Sequence, residues 1–138
     1  MWWFYALLSA FFASLTAIFA RLGVAGISSN LATGIRTLVI LVLVWGIVWF
    51  KGEQKELSAL PKNAVFFLVI SGLATGLSWL FYFKALQVGN VSQVAAVDKL
   101  SVALTIVLAV VFLNETLSLR AAIGALLIIA GTFILIRS

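Results

Sequence analysis

Three charged side chains stand inside otherwise apolar sequence: Arg36, and the neighbours Asp98 and Lys99. Arg, Lys or Asp at the centre of a membrane helix costs roughly 2.5–3.5 kcal/mol on translocon scales, so such groups are kept for a reason. One chemistry they support is an ionic gate or substrate site at the mouth of a polar cavity, where a net positive cluster attracts anionic or carboxylate-bearing solutes. The other is structural: an ion pair that fixes helix register, or long side chains that snorkel to the interface. Asp98, short and the only acid within a span, reads as a functional or gating group. Arg36 and Lys99 stand open between the two readings. Lys84 and Arg21 lie at span ends and read as snorkelling, with Lys84 and Tyr82 approaching the level of the intramembrane charges. Asn114 and Glu115 are interfacial and suit capping or loop anchoring. The chain has no His, no Cys and four acids, too few groups to assemble a nucleophile, a base and an orienting partner. Neither an enzyme, a metal centre nor a cofactor is expected.

The elements that must carry these groups are membrane spans. Of 138 residues, 64 % are hydrophobic and 9 % charged, and the mean hydropathy is +1.25. A water-soluble domain has about 45–50 % apolar and about 25 % charged residues, and a body of this size cannot bury so much apolar side chain. The net charge of +5 does not point to nucleic acid, because the basic residues are scattered between apolar runs. A bilayer core takes roughly 20 helical residues per crossing. Five such stretches fit: about Trp2–Ala20, Leu31–Phe50, Ala64–Phe83, Gln93–Leu113 and Leu119–Ile136. The expected architecture is therefore an all-α membrane protein with five transmembrane helices in a single domain, residues 1–138. The first stretch is expected to be a span rather than a signal peptide, having full spanning length and no basic flank before it. The segment 51–63 is expected to be the one true loop. Gly89-Asn90 reads as a turn, and Ser92 and Ser118 read as N-caps.

Small and polar residues recur at helical spacing in four of the spans. Span one carries Ser9, Ala13, Thr16 and Ala20, and span two begins with Asn30, Thr33 and Thr37 beside Arg36. Span three carries Ser71, Thr75, Ser78 and Tyr82, flanked by Gly72, Gly76, Trp79 and Phe83. Span four carries Asp98, Ser101 and Thr105. These four read as cavity-lining, although Ser and Thr also bond back to their own helix and serve as ordinary contact residues. Span five has only Thr132 as an internal polar residue. Its smooth face, Ala121, Gly124, Ala125, Ile128 and Gly131, suits packing or dimerisation, as does the Gly72–Gly76 pair in span three. Arg36 and Asp98 lie about six residues into two helices that enter from the same membrane face, hence at one depth, roughly 8–9 Å inside. They are able to meet. Asp98 and Lys99, about 100° apart on a regular helix, are not expected to face one another, which leaves Asp98 for Arg36 or for Lys99 of another chain.

An odd number of spans puts the two ends on opposite sides, so the Lys/Arg rule can be applied by counting each side. Lys51, Lys55, Lys62 and Arg120 fall on one side; Arg21, Lys84 and Arg137 fall on the other, joined by Arg36 and Lys99 if intramembrane charges are counted. The near tie leaves two readings: insertion in both orientations, or a weakly biased protein that inserts one way.

The chain resembles the drug/metabolite transporter superfamily with an EamA-like domain, specifically its short five-helix bacterial and archaeal transporters. The resemblance spans essentially all of the sequence. It rests on Ser29-Asn-Leu-Ala-Thr-Gly-Ile-Arg36, Ser71-Gly-Leu-Ala-Thr-Gly-Leu-Ser-Trp79 with Tyr82-Phe-Lys-Ala-Leu86, Val94-Ala-Ala-Val-Asp-Lys-Leu-Ser101, Phe112-Leu-Asn-Glu-Thr-Leu-Ser118 and Gly124-Ala-Leu-Leu-Ile-Ile-Ala-Gly131. Ala96 departs from the family, which often has proline there, and its loss is expected to leave the start of span four straighter. The resemblance implies a half-transporter repeat in the cell (inner or plasma) membrane, one of two inverted halves around a central cavity. A five-span unit recreates that design by pairing antiparallel with a second copy, so the implied assembly is an antiparallel homodimer working by alternating access. The implied activity is secondary transport of a small metabolite or drug-like solute, since no phosphate-binding Gly-rich loop is present. Asp98 is then the candidate for ion coupling, with Arg36, Lys99, Thr16, Thr75, Ser78, Trp79, Tyr82, Ser101 and Thr105 toward the cavity. A four-helix small multidrug exporter fits less well, because it needs an acid in the first span. Competing readings are a non-transporting membrane assembly subunit, and a flippase for lipids or lipid-linked sugars.

Overall fold

The computed structural model of the chain describes residues 1–137 and consists of helices, with no strand among the described residues. In order these are α1 (Trp2–Gly23), α2 (Ser29–Lys51), a 3₁₀ segment (Glu53–Ala59), α3 (Lys62–Val88), α4 (Val91–Asp98), α5 (Leu100–Leu113) and α6 (Leu119–Ile136). Five stretches, α1, α2, α3, α4 with α5, and α6, have the length and apolarity to cross a membrane. The five expected spans are all present, most of them longer by a few residues at their ends.

The ends are set by local chemistry. Ser28 caps α2 by accepting from Leu31 N–H at 3.2 Å, and Ser118 caps α6 by accepting from Ala121 N–H at 3.1 Å. Each satisfies one of the orphan donors of a first helical turn. Gly52 closes α2 at φ 75°, a left-handed conformation that costs a glycine nothing. Asn114 takes the same left-handed role after α5 at φ 53°, its own N–H and that of Glu115 both reaching back to Ala109 O, the latter at 3.3 Å. Three expectations need correction. Residues 51–63 are not an open loop: α2 runs through Lys51, and a 3₁₀ segment packed on α2 follows until Leu60, held extended ahead of Pro61. Ser92 is not a cap, because α4 starts earlier; Asn90 occupies the N-cap and its carbonyl accepts from Val94 N–H at 3.0 Å.

The third correction concerns span four, which is interrupted rather than straight. Regular helix stops at Asp98 and resumes at Leu100, and around Lys99 the backbone bonds tighten to the three-residue spacing: Lys99 N–H to Ala96 O at 3.1 Å and Val102 N–H to Lys99 O at 3.0 Å. No proline is involved. The buried Thr132 of α6 donates its hydroxyl to the same Ala96 carbonyl at 3.1 Å, and a side chain entering the backbone ladder is a recognised cause of such a break. The small Ala96, itself buried, is what lets α6 come close enough.

Two contact units are described separately. In residues 19–87 the buried core is Ala20, Val24, Ala32, Phe83 and Leu86, with Ser29 and Thr33. The end of α3 is tied down there: the Arg21 guanidinium donates to the carbonyls of Leu86 and Gln87, and Gln87 Nε2 donates to Ile27 O at 2.9 Å. Arg21 is thus no free snorkelling group; it sits where a cation complements the negative end of α3. In the unit formed by residues 1–18 and 88 onward, α6 packs against α4 and α5. Besides the Thr132 contact, Gln93 Nε2 donates to Ile136 O at 3.3 Å. The side of α6 carrying Ala121, Gly124, Ala125, Ile128 and Gly131 is its less exposed side.

Candidate functional site

Arg36 lies seven residues into α2, roughly 10 Å along the helix from Ser29. Its guanidinium stacks on the Trp79 ring, 4.2 Å from the centroid, and stands 5.5 Å from the Phe83 ring. Trp79, Tyr82 and Phe83 fall on one side of α3 by their three- and four-residue spacing. Phe83 is buried, while Arg36, Trp79 and Tyr82 are half-buried. A guanidinium is planar, weakly hydrated for an ion and suited to lying on an aromatic face. The two rings therefore hold the charge without neutralising it. Among the described residues the ion pairs are Lys51–Glu53 at 3.9 Å and Lys99–Asp98 at 3.4 Å.

Asp98 and Lys99 belong to the other unit and sit at the break between α4 and α5. They pair with one another through Lys99 Nζ and Asp98 Oδ2, both side chains remaining substantially open. The regular-helix argument against such neighbours meeting fails here because Lys99 is out of the regular helix and its chain is long enough to fold back.

The hydroxyl stripes divide. Thr33 donates to Ser29 O and Thr37 to Thr33 O, each at 2.8 Å; Thr75 donates to Ser71 O at 2.9 Å and Ser14 to Phe11 O at 2.7 Å. These hydroxyls spend their protons on their own helices. Ser78, Ser101 and Thr105 are exposed within their spans, and Thr16 is half-buried. Neither Gly72, Gly76, Gly124 nor Gly131 is crowded: a Cβ added at any of them meets nothing within 4 Å. The structure brings Arg36, Trp79 and Phe83 together directly and pairs Asp98 with Lys99; Thr75, Ser78 and Tyr82 share α3 with Trp79, while Thr16, Ser101 and Thr105 belong to the other unit.

The residues that sequence reasoning passed over are the tethers Gln87 and Gln93; it places Phe83 beside the span-three stripe, but not as the second ring near Arg36. Two amides flanking Gly89-Asn90 at the border of two apolar spans were the available signal, since a polar side chain there either faces water or ties down a neighbouring carbonyl. Among the described residues no group of three or more acids, histidines or cysteines is placed to hold a metal.

Comparison with known proteins adds to this geometry. The model of the EamA-like transporter family matches residues 1–137. The chain is similar to a Sinorhizobium sp. protein named "Uncharacterized transporter in cobO 3′ region", with 48 % identity over 134 residues, 97 % of this chain and 95 % of that protein. It is also similar to an uncharacterized protein of Methanocaldococcus jannaschii, with 30 % identity over 83 residues, 60 % of this chain and 61 % of the relative. No solved structure gives a significant match.

Proposed function

Because this chain belongs to the EamA-like transporter family, we propose that it moves small metabolites or drug-like solutes through the cell membrane by secondary transport, as an antiparallel homodimer with alternating access. That it is a multi-pass membrane transporter follows from the family and from the five apolar helices; the solute, the mechanism and the assembly are the proposal.

The observation that carries the reading is Arg36. A membrane helix that meets the cost of a guanidinium with two aromatic rings, and not with a carboxylate, leaves a positive site inside an apolar segment. Such a site attracts an anionic or carboxylate-bearing solute, with the Trp79 ring beside it for the apolar part. Asp98, beside Lys99 at the interrupted helix, is the candidate for coupling to an ion gradient, and the exposed Ser78, Ser101 and Thr105 offer hydroxyls to the polar path. The need for a second copy is supported by coverage. In the most apolar 18-residue stretch of each span no more than 11 % of the residues are buried within the chain, and in those of spans three and four none is; the buried Phe83, Leu86 and Ala96 lie toward the span ends. Lipid covers apolar side chains, but the hydroxyls and charges on these faces call for protein or a water-filled cavity. An inverted second copy supplies both, in the arrangement common among secondary transporters.

The test is uptake into proteoliposomes. Labelled organic acids, screened against an imposed proton gradient, are expected to accumulate with wild-type protein and to lose at least tenfold in rate with Arg36→Gln. Equal uptake by the variant removes Arg36 from the site. An assembly subunit without transport predicts no uptake of any solute and tolerance of Asp98→Ala.

A further inference from the structure

In the unit of residues 19–87 a cleft of about 310 Å³ opens between the start of α2 and the second half of α3. Ser29 and Asn30 line it from α2; Leu77, Leu80, Phe81 and Lys84 line it from α3. The α3 residues recur at i, i+3, i+4 and i+7, one face of the helix. Trp79, Tyr82, Phe83 and Leu86 repeat the same spacing about 200° around. The cleft therefore uses a different side of α3 from the one that holds Arg36.

Its polar end is rich in donors and carries no acid. Ser28 satisfies Leu31 N–H with its hydroxyl and Ala32 N–H with its carbonyl, which leaves the N–H groups of Ser29 and Asn30, the first two of the helix, with no intrahelical partner. Ser29 is only 6 % exposed, yet it lines the cleft, and its hydroxyl has no hydrogen-bond partner among the described residues. Among the described residues Lys84 reaches only Gln87 Oε1, at 3.5 Å, and no acid lines the cleft. An ammonium, the hydroxyl of the largely buried Ser29, a side-chain amide and two backbone N–H groups thus line the cleft at the positive end of a 23-residue helix. That combination matches a phosphate-type oxyanion. The other end is apolar and faces out of the helix pair, Leu77 being 57 % and Phe81 74 % exposed. A small ion has no use for such a strip, whereas a lipid needs one.

We propose that this cleft is a binding site for an anionic phospholipid, its headgroup phosphate held by Ser29, Asn30 and Lys84 and an acyl chain lying along Leu77, Leu80 and Phe81. Basic pockets between helices at a membrane face bind lipid headgroups in this manner. The site does not depend on which solute is transported, nor on whether any is.

Native mass spectrometry of the full chain released from a neutral detergent tests it. Phosphatidylglycerol and phosphatidylcholine are titrated against wild type, Lys84→Gln, Ser29→Ala and, as a matched control, Lys62→Gln at the opposite end of α3. Wild type is expected to retain one phosphatidylglycerol in preference to phosphatidylcholine. Affinity is expected to fall about fivefold in Lys84→Gln and about threefold in Ser29→Ala, and to be unchanged in Lys62→Gln. Equal losses in the two lysine variants mean diffuse charge attraction and overturn the proposal. So does equal retention of the two lipids, or displacement of the lipid by inorganic phosphate, which marks a free oxyanion site. Should Lys84→Gln fail to fold, Ser29→Ala decides alone, and unchanged affinity there overturns the assignment.

Discussion

On the proposed reading Arg36 acts as a charge that no carboxylate neutralises, and its stack on Trp79 is what holds it in place. Cation–π contacts contribute about 0.5–2 kcal/mol depending on desolvation. Arg36→Lys keeps the charge but exchanges a planar ion for a compact, strongly hydrated one. Uptake by Arg36→Lys is therefore expected to fall between wild type and Arg36→Gln, about threefold to thirtyfold below wild type; full activity would show that charge alone suffices. Trp79→Ala, which removes the ring and leaves the arginine, is expected to resemble Arg36→Lys. Asp98 makes a separate prediction. If it couples transport to protons, Asp98→Asn abolishes the dependence of uptake on an imposed pH difference while the protein still folds. Unchanged activity with unchanged pH dependence discards it as the coupling group.

Among the elements, the interrupted fourth span has the clearest cause. Thr132 donates to Ala96 O and also to Ile128 O of its own helix at 2.9 Å, so Thr132→Val keeps the shape of the side chain and removes both bonds. Interhelical hydrogen bonds in membranes average about 0.6 kcal/mol. A loss of that order in thermal stability is expected, together with slower amide exchange at Leu100 as the four-residue ladder re-forms. Unchanged exchange would place the cause of the break elsewhere. The five spans were legible in the sequence because a 20-residue apolar run has one solution in lipid. The Ser118 cap and the capping role of Asn114 were legible for local reasons of the same kind. The break at Lys99 was not, since it arises from a hydroxyl 36 residues away. The Arg21 clasp was hidden likewise: an arginine at a span end looks the same in sequence whether it faces headgroups or another helix's carbonyls. The composition marked Arg36 as costly, but not the rings that hold it.

For the molecule as a whole, the sparse internal burial of its spans makes orientation the decisive property. Ser58 is exposed in the 3₁₀ segment, and the chain has no cysteine, so Ser58→Cys supplies a unique thiol. In intact cells an impermeant reagent is expected to label about half of it, as the two-way insertion suggested by the Lys/Arg tie requires; labelling from one side alone rules out the antiparallel pair. Gly76→Leu adds bulk at a position where a Cβ meets nothing within 4 Å in the single chain. It is expected to leave helix content unchanged and to lower the cross-linked dimer fraction if span three meets the second copy. The Arg21 clasp, finally, sets an order of events during synthesis. Its acceptors lie 65 and 66 residues downstream, about 3–13 s of elongation at 5–20 residues per second. Through that interval the nascent first helix carries its arginine without the carbonyls that later receive it, and a ribosome stalled before Leu86 holds a first span that is not yet fastened.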